Sequence, residues 1–495
     1  MTDLDQIVDA VLARHPLAGL SIGVVSRDGL GATAMRGVAG AGRPVDIDTV
    51  FRIGSVTKTM TALAVVRLYE IGRVGLDDPV NDHLNGLSLV GRPRWRPATI
   101  RHLLTHTAGI GELAAWRDVL TRMGGLAVRP GQAVPGVERY HGQLRLDVEP
   151  GTKWAYANHG FNVLGLMVEQ MTGEPLADHL RSLIFDRLGM QHTDLLRSPR
   201  VAGDLATGYT LKRKGLAEPK DMDIGVPAAG SVFSTLPDMA TYVAALLSGG
   251  RDVVASSTLA DAFAPHYRPC PTHPGIGLSF FRDEIEGHAL VGHGGGLPGF
   301  ITAMSLAPDD GIGVVAFTNG GSQAVALVAH NALCSLLGID PAPGPRPPRP
   351  ERWADLIGWY RPDPGLLTNV RTLAVGGGVE IVQRRRQLLL RATVPVPSLW
   401  RGIPMQPMDD AGDVYAIEFS ELGTPPLRIH VEHDAQGRAV ALHLGGSVLG
   451  AFPALRRSSP WSNPRRLLGG AAFAAGLGRG IMRRRRRRGR RPRRR

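Results

Sequence analysis

The chain has 495 residues, of which 43% are hydrophobic and 20% charged, and this excludes a largely disordered protein and favours two or three domains. The net charge of +13 is unevenly spread: eleven of the 57 lysines and arginines lie in residues 483–495, and the remaining 46 nearly balance 44 acidic residues. The body of the protein is therefore close to neutral, and the basicity belongs to a tail.

Hydrophobic periodicity predicts mixed helices and strands over the first 340 residues. Helical patterns occupy residues 3–14, Ser55 to about Ile71, 161–171 and 322–338. Strand patterns occupy residues 20–29 and 31–40, joined by a turn at Asp28-Gly29, and then 287–293, 301–308 and 311–319. Residues 86–225 are mixed and are interrupted by many glycines and prolines.

A different pattern follows residues 341–350, PAPGPRPPRP, whose six prolines predict a linker. Residues 351–456 carry short alternating strands separated by turns, which predicts an all-β domain, a small barrel or a sandwich. Within it, the three arginines at 384–386 predict a solvated hairpin turn.

The C-terminal residues 457–495 are predicted to be a basic, disordered tail. Within it, residues 467–482 are apolar except for Arg479, but this glycine-rich run is short for a membrane span. Three interpretations of the polyarginine stay open: a solvated extension, weak peripheral contact with an anionic membrane, or salt-sensitive contact with nucleic acid by charge alone. No specific nucleic-acid partner is expected, and the sequence does not predict an oligomeric state.

Two cysteines, Cys270 and Cys334, are too few for a disulfide framework, and no Cys/His spacing resembles a zinc site. We expect no metal or other cofactor. The N-terminus has acids where a secretion signal has bases, and it lacks a clear apolar run that ends in a cleavage site. We therefore expect a cytoplasmic protein with reduced thiols.

The stretch FRIGSVTKTM places Ser55 and Lys58 three residues apart at the start of an apolar helix. Because positions i and i+3 share a helix face, the lysine amine can reach the serine hydroxyl, a weak nucleophile that needs a base. A helix start also offers N–H groups to an oxyanion, and Gly54 permits a tight entry. Taken alone, the short pattern favours an N-cap serine and a surface lysine over a catalytic pair.

Two later stretches favour the catalytic interpretation. EPGTKWAYANHGFNVLG places Tyr156 and Asn158 before an apolar helix, and LVGHGGGLPGF places His293 before three glycines at a strand end. With S-x-x-K, Y-x-N and H-x-G in this order, residues 1–340 resemble the serine β-lactamase-like family, in particular class C β-lactamases, DD-peptidases and related esterases. Four further stretches are family-like: LDDPV, LLTHTAG, AGSVFSTLPDMA and PDDGIGVVAFTNG.

The resemblance implies an α+β fold of the β-lactamase/transpeptidase type, an antiparallel sheet flanked by helices with a mostly helical subdomain. Residues 351–456 resemble the lipocalin-like β domain that some members append. Ser55 is then the acylated nucleophile, and Lys58 and Tyr156 share proton transfer, in a division that stays open. Asn158 orients Lys58 and a substrate amide.

The resemblance also implies that the strand carrying His293, Gly294 and Gly295 binds substrate, and that the backbone N–H groups of Ser55 and Gly296 form an oxyanion hole. His293 departs from the K-T-G form of this triplet. A lysine would hold a fixed positive charge, whereas a histidine is mostly neutral at pH 7 and binds a carboxylate less firmly.

We therefore expect a serine hydrolase of the esterase type, acting through an acyl-enzyme on a small-molecule ester or amide. A β-lactamase, a D-amino-acid peptidase and a catalytically silent binding protein on the same fold stay open as alternatives. His106 invites a triad interpretation, but we expect it to brace a loop, because Lys58 and Tyr156 already fill the base role. His159, Trp154 and Tyr140 are expected to pack the structure or to line the pocket.

Overall fold

The computed structural model describes residues 3–113, 126–212, 215–342, 344–363, 377–392, 394, 396–419, 421, 423–445, 454–459, 461 and 463–464. The helices are α1 Leu4–Leu12, α2 Thr57–Glu70, α3 Ile100–Leu104, α4 Asn158–Thr172, α5 Leu176–Leu180, α6 Asp186–Leu188, α7 Pro199–Ala202, α8 Pro227–Gly230, α9 Leu236–Leu247, α10 Ser256–Phe263, α11 Ala324–Leu337, α12 Pro350–Leu356 and α13 Pro397–Arg401.

The strands fall into two groups along the chain. The first group is β1 Gly19–Ser26, β2 Gly29–Gly40, β3 Arg43–Pro44, β4 Phe51–Arg52, β5 Ser88–Val90, β6 Ala127–Val128, β7 Gln143–Arg145, β8 Thr210–Lys212, β9 Gly215–Ala217, β10 Asp223–Ile224, β11 Phe233–Ser234, β12 Phe281–Ile285, β13 His288–Leu297, β14 Phe300–Ala307 and β15 Ile312–Thr318. The second group is β16 Gly358–Asp363, β17 Val379–Arg384, β18 Gln387–Ala392, β19 Ile403–Pro404, β20 Gln406–Pro407, β21 Val414–Ile417, β22 Leu427–His433, β23 Ala439–Gly445 and β24 Ala454–Ser458.

A seven-stranded antiparallel sheet in the order β12-β13-β14-β15-β1-β2-β3 organises the first region. Helices α1 and α11 cover one face and α9 the other. Alternate residues of β15 divide between the two layers: Val314 and Ala316 face α11, whereas Val315 and Phe317 belong to the opposite core. Before Thr318 at its end, the strand has no polar side chain, because both of its faces are buried.

Helix α2 lies in the centre of the first region, packed against α4 and α8. Its buried residues run from Thr57 to Val66 without a break, so it has no solvent-facing stripe. A helix buried on all sides has a weak hydrophobic periodicity, because no face needs to be polar. The helix follows β4 through a single 3₁₀ turn, Gly54–Val56, which delivers the Ser55 stretch into the protein interior.

The second region is a nine-stranded antiparallel sheet in the order β19-β18-β17-β16-β24-β23-β22-β21-β20. The two end strands are separated along the chain only by Met405, so the sheet curls into a nearly closed barrel rather than a sandwich. Its interior holds an apolar cluster that includes Tyr360, Ile381 and Ile429.

The expected fold class is confirmed, with local differences. The predicted helices and strands are present, but the first hairpin turns at Arg27-Asp28, because β2 already begins at Gly29. At the predicted arginine turn, Arg385 and Arg386 are exposed and have φ angles of 46° and 62°, which close the β17–β18 hairpin. The sequence patterns did not predict β12, which forms one edge of the large sheet.

The proline-rich residues 344–349 have no regular structure, and Pro350 begins α12. The domain boundaries at 340 and 456 stay predictions. The polyarginine at 483–495 and the apolar run 467–482 lie outside the described residues. Within the described part of the chain, no helix is long and apolar enough to cross a membrane. Cys270 and Cys334 are buried and do not form a disulfide.

Candidate active site

Ser55 lies on a tight turn whose backbone is held from two sides. Gly54 has a φ of +54°, a conformation that glycine adopts without the strain a side chain would add. Thr57 Oγ1 donates to the Gly54 carbonyl at 2.7 Å and accepts from the Val232 amide at 3.1 Å. The turn is therefore tied to the segment that precedes β11, and the expected tight entry into the helix is confirmed.

Lys58 is fully buried, and its amine is surrounded by oxygen atoms. Its Nζ donates to Asn158 Oδ1 at 2.8 Å and to the Ala229 carbonyl at 2.7 Å, and it lies 3.0 Å from Ser55 Oγ. The first two acceptors take two N–H groups, and the third position of the nitrogen faces the Ser55 hydroxyl, with an N–H in the ammonium and with the lone pair in the neutral amine. The structure thus brings together three of the predicted site residues.

Aromatic rings complete the surroundings of the Lys58 amine. Nζ lies 4.7 Å from the ring centroid of Tyr156 and 5.6 Å from that of Phe161, distances at which a cation is attracted to a ring face. Tyr156 is 2% exposed, at the end of the extended stretch that enters α4. The predicted pair of proton carriers is therefore in contact.

His106 braces the Tyr156 segment, as expected. Its Nδ1 accepts from the Ala157 amide at 3.2 Å, and its carbonyl accepts from the Ala155 amide at 2.8 Å. Its ring lies over Tyr156 with the centroids 4.2 Å apart. His106 itself has a φ of +58°, so the loop is bent sharply to bring both bonds onto one segment.

The glycines of β13 allow this strand to pass against the serine turn. A Cβ on Gly295 would lie 1.9 Å from the carbonyl oxygen of Ile53, a contact that no side chain could make. A Cβ on Gly54 would lie 2.8 Å from the amide nitrogen of Gly296. The Gly296 amide is therefore close to the Ser55 turn, where the predicted oxyanion hole requires a donor.

His293 precedes these glycines and is 1% exposed. Its Nδ1 lies 2.6 Å from the Gly294 carbonyl, and because a carbonyl only accepts, Nδ1 carries the proton. The ring centroid of His293 lies 6.4 Å from that of Tyr156 and 4.9 Å from that of Phe281. His293 is thus part of the same aromatic wall as Tyr156.

Two other sequence candidates are packing residues. Tyr140 and His159 are buried and joined by a contact of 3.1 Å between the hydroxyl and Nδ1, and Asn162 donates to the same hydroxyl. Burial lowers the pKa of His159 to about 3, which keeps the imidazole neutral at ordinary pH. Tyr140 thus packs against the first turn of α4, to which His159 and Asn162 belong.

The sequence patterns missed the Ala229 carbonyl, which lies in the short helix α8. A backbone acceptor has no side-chain signature, so the family-like stretch AGSVFSTLPDMA, which begins at Ala229, marked the region but not the contact of its carbonyl with Lys58. They also missed Phe161 and Phe281 as neighbours of the site. Within the described ranges, no group of three or more His, Cys, Asp or Glu side chains could hold a metal ion.

Comparison with known proteins points to one family. The sequence model of the family described as Beta-lactamase matches residues 4–335. The chain is 36% identical over 205 residues to esterase EstB of Burkholderia gladioli, and this alignment covers 38% of the chain and 50% of EstB. It is 27% identical over 276 residues to penicillin-binding protein 4* of Bacillus subtilis (strain 168), and this alignment covers 53% of the chain and 59% of that protein.

A solved structure extends the likeness to both regions of the chain. The octameric penicillin-binding protein homologue from Pyrococcus abyssi matches with a TM-score of 0.59 and 22% identity, covering 92% of this chain and 99% of that one. At this identity the match establishes the shared fold, including a β domain after the first region. The alignments to EstB and to penicillin-binding protein 4* cover only about half to three fifths of those relatives' lengths.

Proposed function

Because the chain belongs to the β-lactamase family of serine hydrolases, we propose that it is an esterase that forms an acyl-enzyme on Ser55. The observation that carries this proposal is the contact of 3.0 Å between Ser55 Oγ and Lys58 Nζ, with the lysine held by Asn158 and Ala229. A serine hydroxyl is a weak nucleophile, and a fixed base beside it is the usual means of activation.

In the proposed reaction, Ser55 Oγ attacks the ester carbonyl carbon and gives its proton to the Lys58–Tyr156 pair. The carbonyl oxygen becomes an oxyanion, which the N–H groups of Ser55 and Gly296 stabilise. The C–O bond to the alcohol then breaks, and the alcohol leaves with the proton returned by the same pair. Water then gives a proton to the same pair and attacks the acyl carbon, the C–O bond to Ser55 Oγ breaks, and the pair returns the proton to Ser55 as the acid leaves.

Two observations favour an ester over a carboxylate-bearing β-lactam or peptide. His293 stands where related enzymes carry a lysine, and a histidine, unlike a lysine, does not supply a fixed positive charge for a substrate carboxylate. The relative that is 36% identical over 205 residues is named an esterase. A β-lactamase or D-amino-acid peptidase activity stays the alternative, because the matching family model is described as Beta-lactamase and another relative is named a D-aminopeptidase.

A substrate panel tests the proposal directly. The purified chain and its Ser55→Ala variant are assayed with short-chain esters, a chromogenic cephalosporin and a D-Ala-D-Ala peptide. We expect ester hydrolysis to exceed the other two and to be lost in Ser55→Ala. Preference for the cephalosporin or the peptide would select the alternative, and a folded protein that no acylating probe labels would identify a silent binding protein.

A further inference from the structure

A small cavity lies where the barrel meets the aromatic wall of the candidate active site. Its free volume is about 40 Å³, which at roughly 10–15 Å³ per water is room for a few waters or a short alkyl chain. Trp154, Ile276 and Phe281 line it from the first region, and His443 and Ala454 line it from the barrel. Its walls therefore come from both regions of the chain.

The cavity adjoins the site residues through shared walls. The ring centroid of Trp154 lies 6.3 Å from that of Tyr156, and the centroid of Phe281 lies 4.9 Å from that of His293. Trp154 and Phe281 are themselves in edge contact, with centroids 6.3 Å apart. Trp154 and Phe281 thus line the cavity and each lies next to a ring of the candidate site.

Specific polar contacts hold the barrel against this wall. Asp363 forms an ion pair with Lys153, the residue before Trp154, and Asp363 lies opposite Ala454 in the β16–β24 register. Farther along, Arg428 Nη1 contacts Asp283 Oδ1 at 2.8 Å. These contacts hold the barrel strands that carry Asp363 and Arg428 against the first region.

The direction of β13 indicates which part of a substrate would face the cavity. Gly296, the proposed oxyanion donor, and His293 are three residues apart on the strand, or roughly 10 Å. The ring centroid of Tyr156, which would return the proton to the departing alcohol, lies 6.4 Å from that of His293. The alcohol portion of an ester would therefore point toward His293 and the rings beyond it.

We propose that this cavity binds the apolar alcohol portion of the ester substrate, and that the barrel limits its length through Ala454. The inference rests on the proposed function, since it assigns a substrate group to the same site. It gives the barrel a role in substrate selection: short aliphatic alcohols fit, and a larger side chain at position 454 would exclude them.

The test uses the full-length chain with Ala454→Val and Ala454→Leu, which fill the cavity in two steps. Ala435→Leu is the matched control, because Ala435 lies in the exposed turn between β22 and β23. Two ester series are compared by kcat/KM. In one the acid is acetate and the alcohol runs from methanol to butanol; in the other the alcohol is methanol and the acid lengthens by the same steps.

We expect Ala454→Leu to lower kcat/KM for propyl and butyl acetate about 10-fold relative to methyl acetate, with Ala454→Val in between and Ala435→Leu unchanged. The methyl ester series should keep its wild-type profile. Unchanged selectivity in folded Ala454→Val and Ala454→Leu proteins, or a change confined to the acid series, overturns the inference. If the wild type hydrolyses no ester, or Ser55→Ala remains active, the proposed function fails instead.

Discussion

The centre of the first region and the interior of the barrel are equally closed to water, but they are built from different groups. Around α2, the buried lysine meets a serine hydroxyl, an amide oxygen and a backbone carbonyl. In the barrel, residues such as Ile381 and Ile429 form an apolar cluster. Burying polar groups costs stability unless each has a hydrogen-bond partner. A group of buried polar atoms that converge on one amine therefore indicates a chemical role, whereas an apolar cluster indicates packing.

Among the changes proposed here, replacing the buried Lys58 should have the largest effect on activity. We expect Lys58→Met to lower kcat/KM by about 10²–10⁴-fold, because in the proposed reaction Lys58 takes part in removing the Ser55 proton. It should also destabilise the protein, since Asn158 Oδ1 and the Ala229 carbonyl lose a donor. Steady-state kinetics and urea unfolding measure the two effects.

The matched change in the barrel is Ile429→Val, for which we expect a loss of about 0.5–1.5 kcal/mol of unfolding free energy with unchanged kcat/KM. If Lys58→Met kept wild-type kcat/KM, the amine would be a structural group, and the contrast between the two interiors would disappear.

A pair of tyrosines sharpens the contrast within the first region. Tyr156→Phe should reduce kcat about 10²-fold, because it removes a hydroxyl from proton transfer but keeps the ring beside Lys58. Tyr242 is also buried, and its hydroxyl donates to Thr59 Oγ1 at 2.9 Å, next to Lys58 in sequence. Tyr242→Phe should cost about 1 kcal/mol of stability and leave kcat unchanged. Equal kcat values for the two variants would remove Tyr156 from the mechanism.

Substitutions at two glycines with similar positive φ angles distinguish the cost of backbone strain from the loss of the oxyanion donor. Gly54→Ala places a Cβ 2.8 Å from the Gly296 amide, so we expect the oxyanion donor to shift and kcat to fall at least about 10-fold. Gly338 ends α11 with a φ of 71° and has no atom within 4 Å of its Cβ position. Gly338→Ala should therefore show only the backbone cost of roughly 1 kcal/mol, without a change in kcat. A normal kcat in folded Gly54→Ala would argue against the Gly296 donor.

The smallest effect concerns pH and stability. Burial lowers the pKa of His159 to about 3, whereas in the unfolded chain it lies near 6.5, so between these values the unfolded state binds the extra proton. Stability should therefore fall as the pH drops below about 6.5, by at most about 1.4 kcal/mol per pH unit for this group. His159→Gln should flatten the slope of unfolding free energy between pH 6.5 and 4.5.

At the barrel interface, burial lowers the pKa of His430 to about 2, with repulsion from His273 and Arg428 adding to the shift. His430→Gln should flatten the slope in the same way. A slope unchanged by either substitution would mean that the histidine in question is not held neutral by the fold.

The sequence predicted those parts of the site that depend on local geometry or on the order of motifs. Ser55 and Lys58 share a helix face by their spacing alone. Asn158 lies 100 residues away in sequence, and only the family's motif order placed it beside Lys58. The Ala229 carbonyl and the cavity at Ala454 could not be predicted, because a backbone acceptor has no side-chain signature, and the barrel wall depends on non-local strand pairing.

The central claim is that Ser55 becomes covalently acylated, and intact-protein mass spectrometry tests it most directly. The chain is mixed with an activated ester, quenched within the first turnovers and digested to locate the adduct. We predict one added acyl group per chain, on the peptide that contains Ser55, and no adduct in Ser55→Ala. An adduct on another residue, or undiminished ester hydrolysis by Ser55→Ala, would contradict the account.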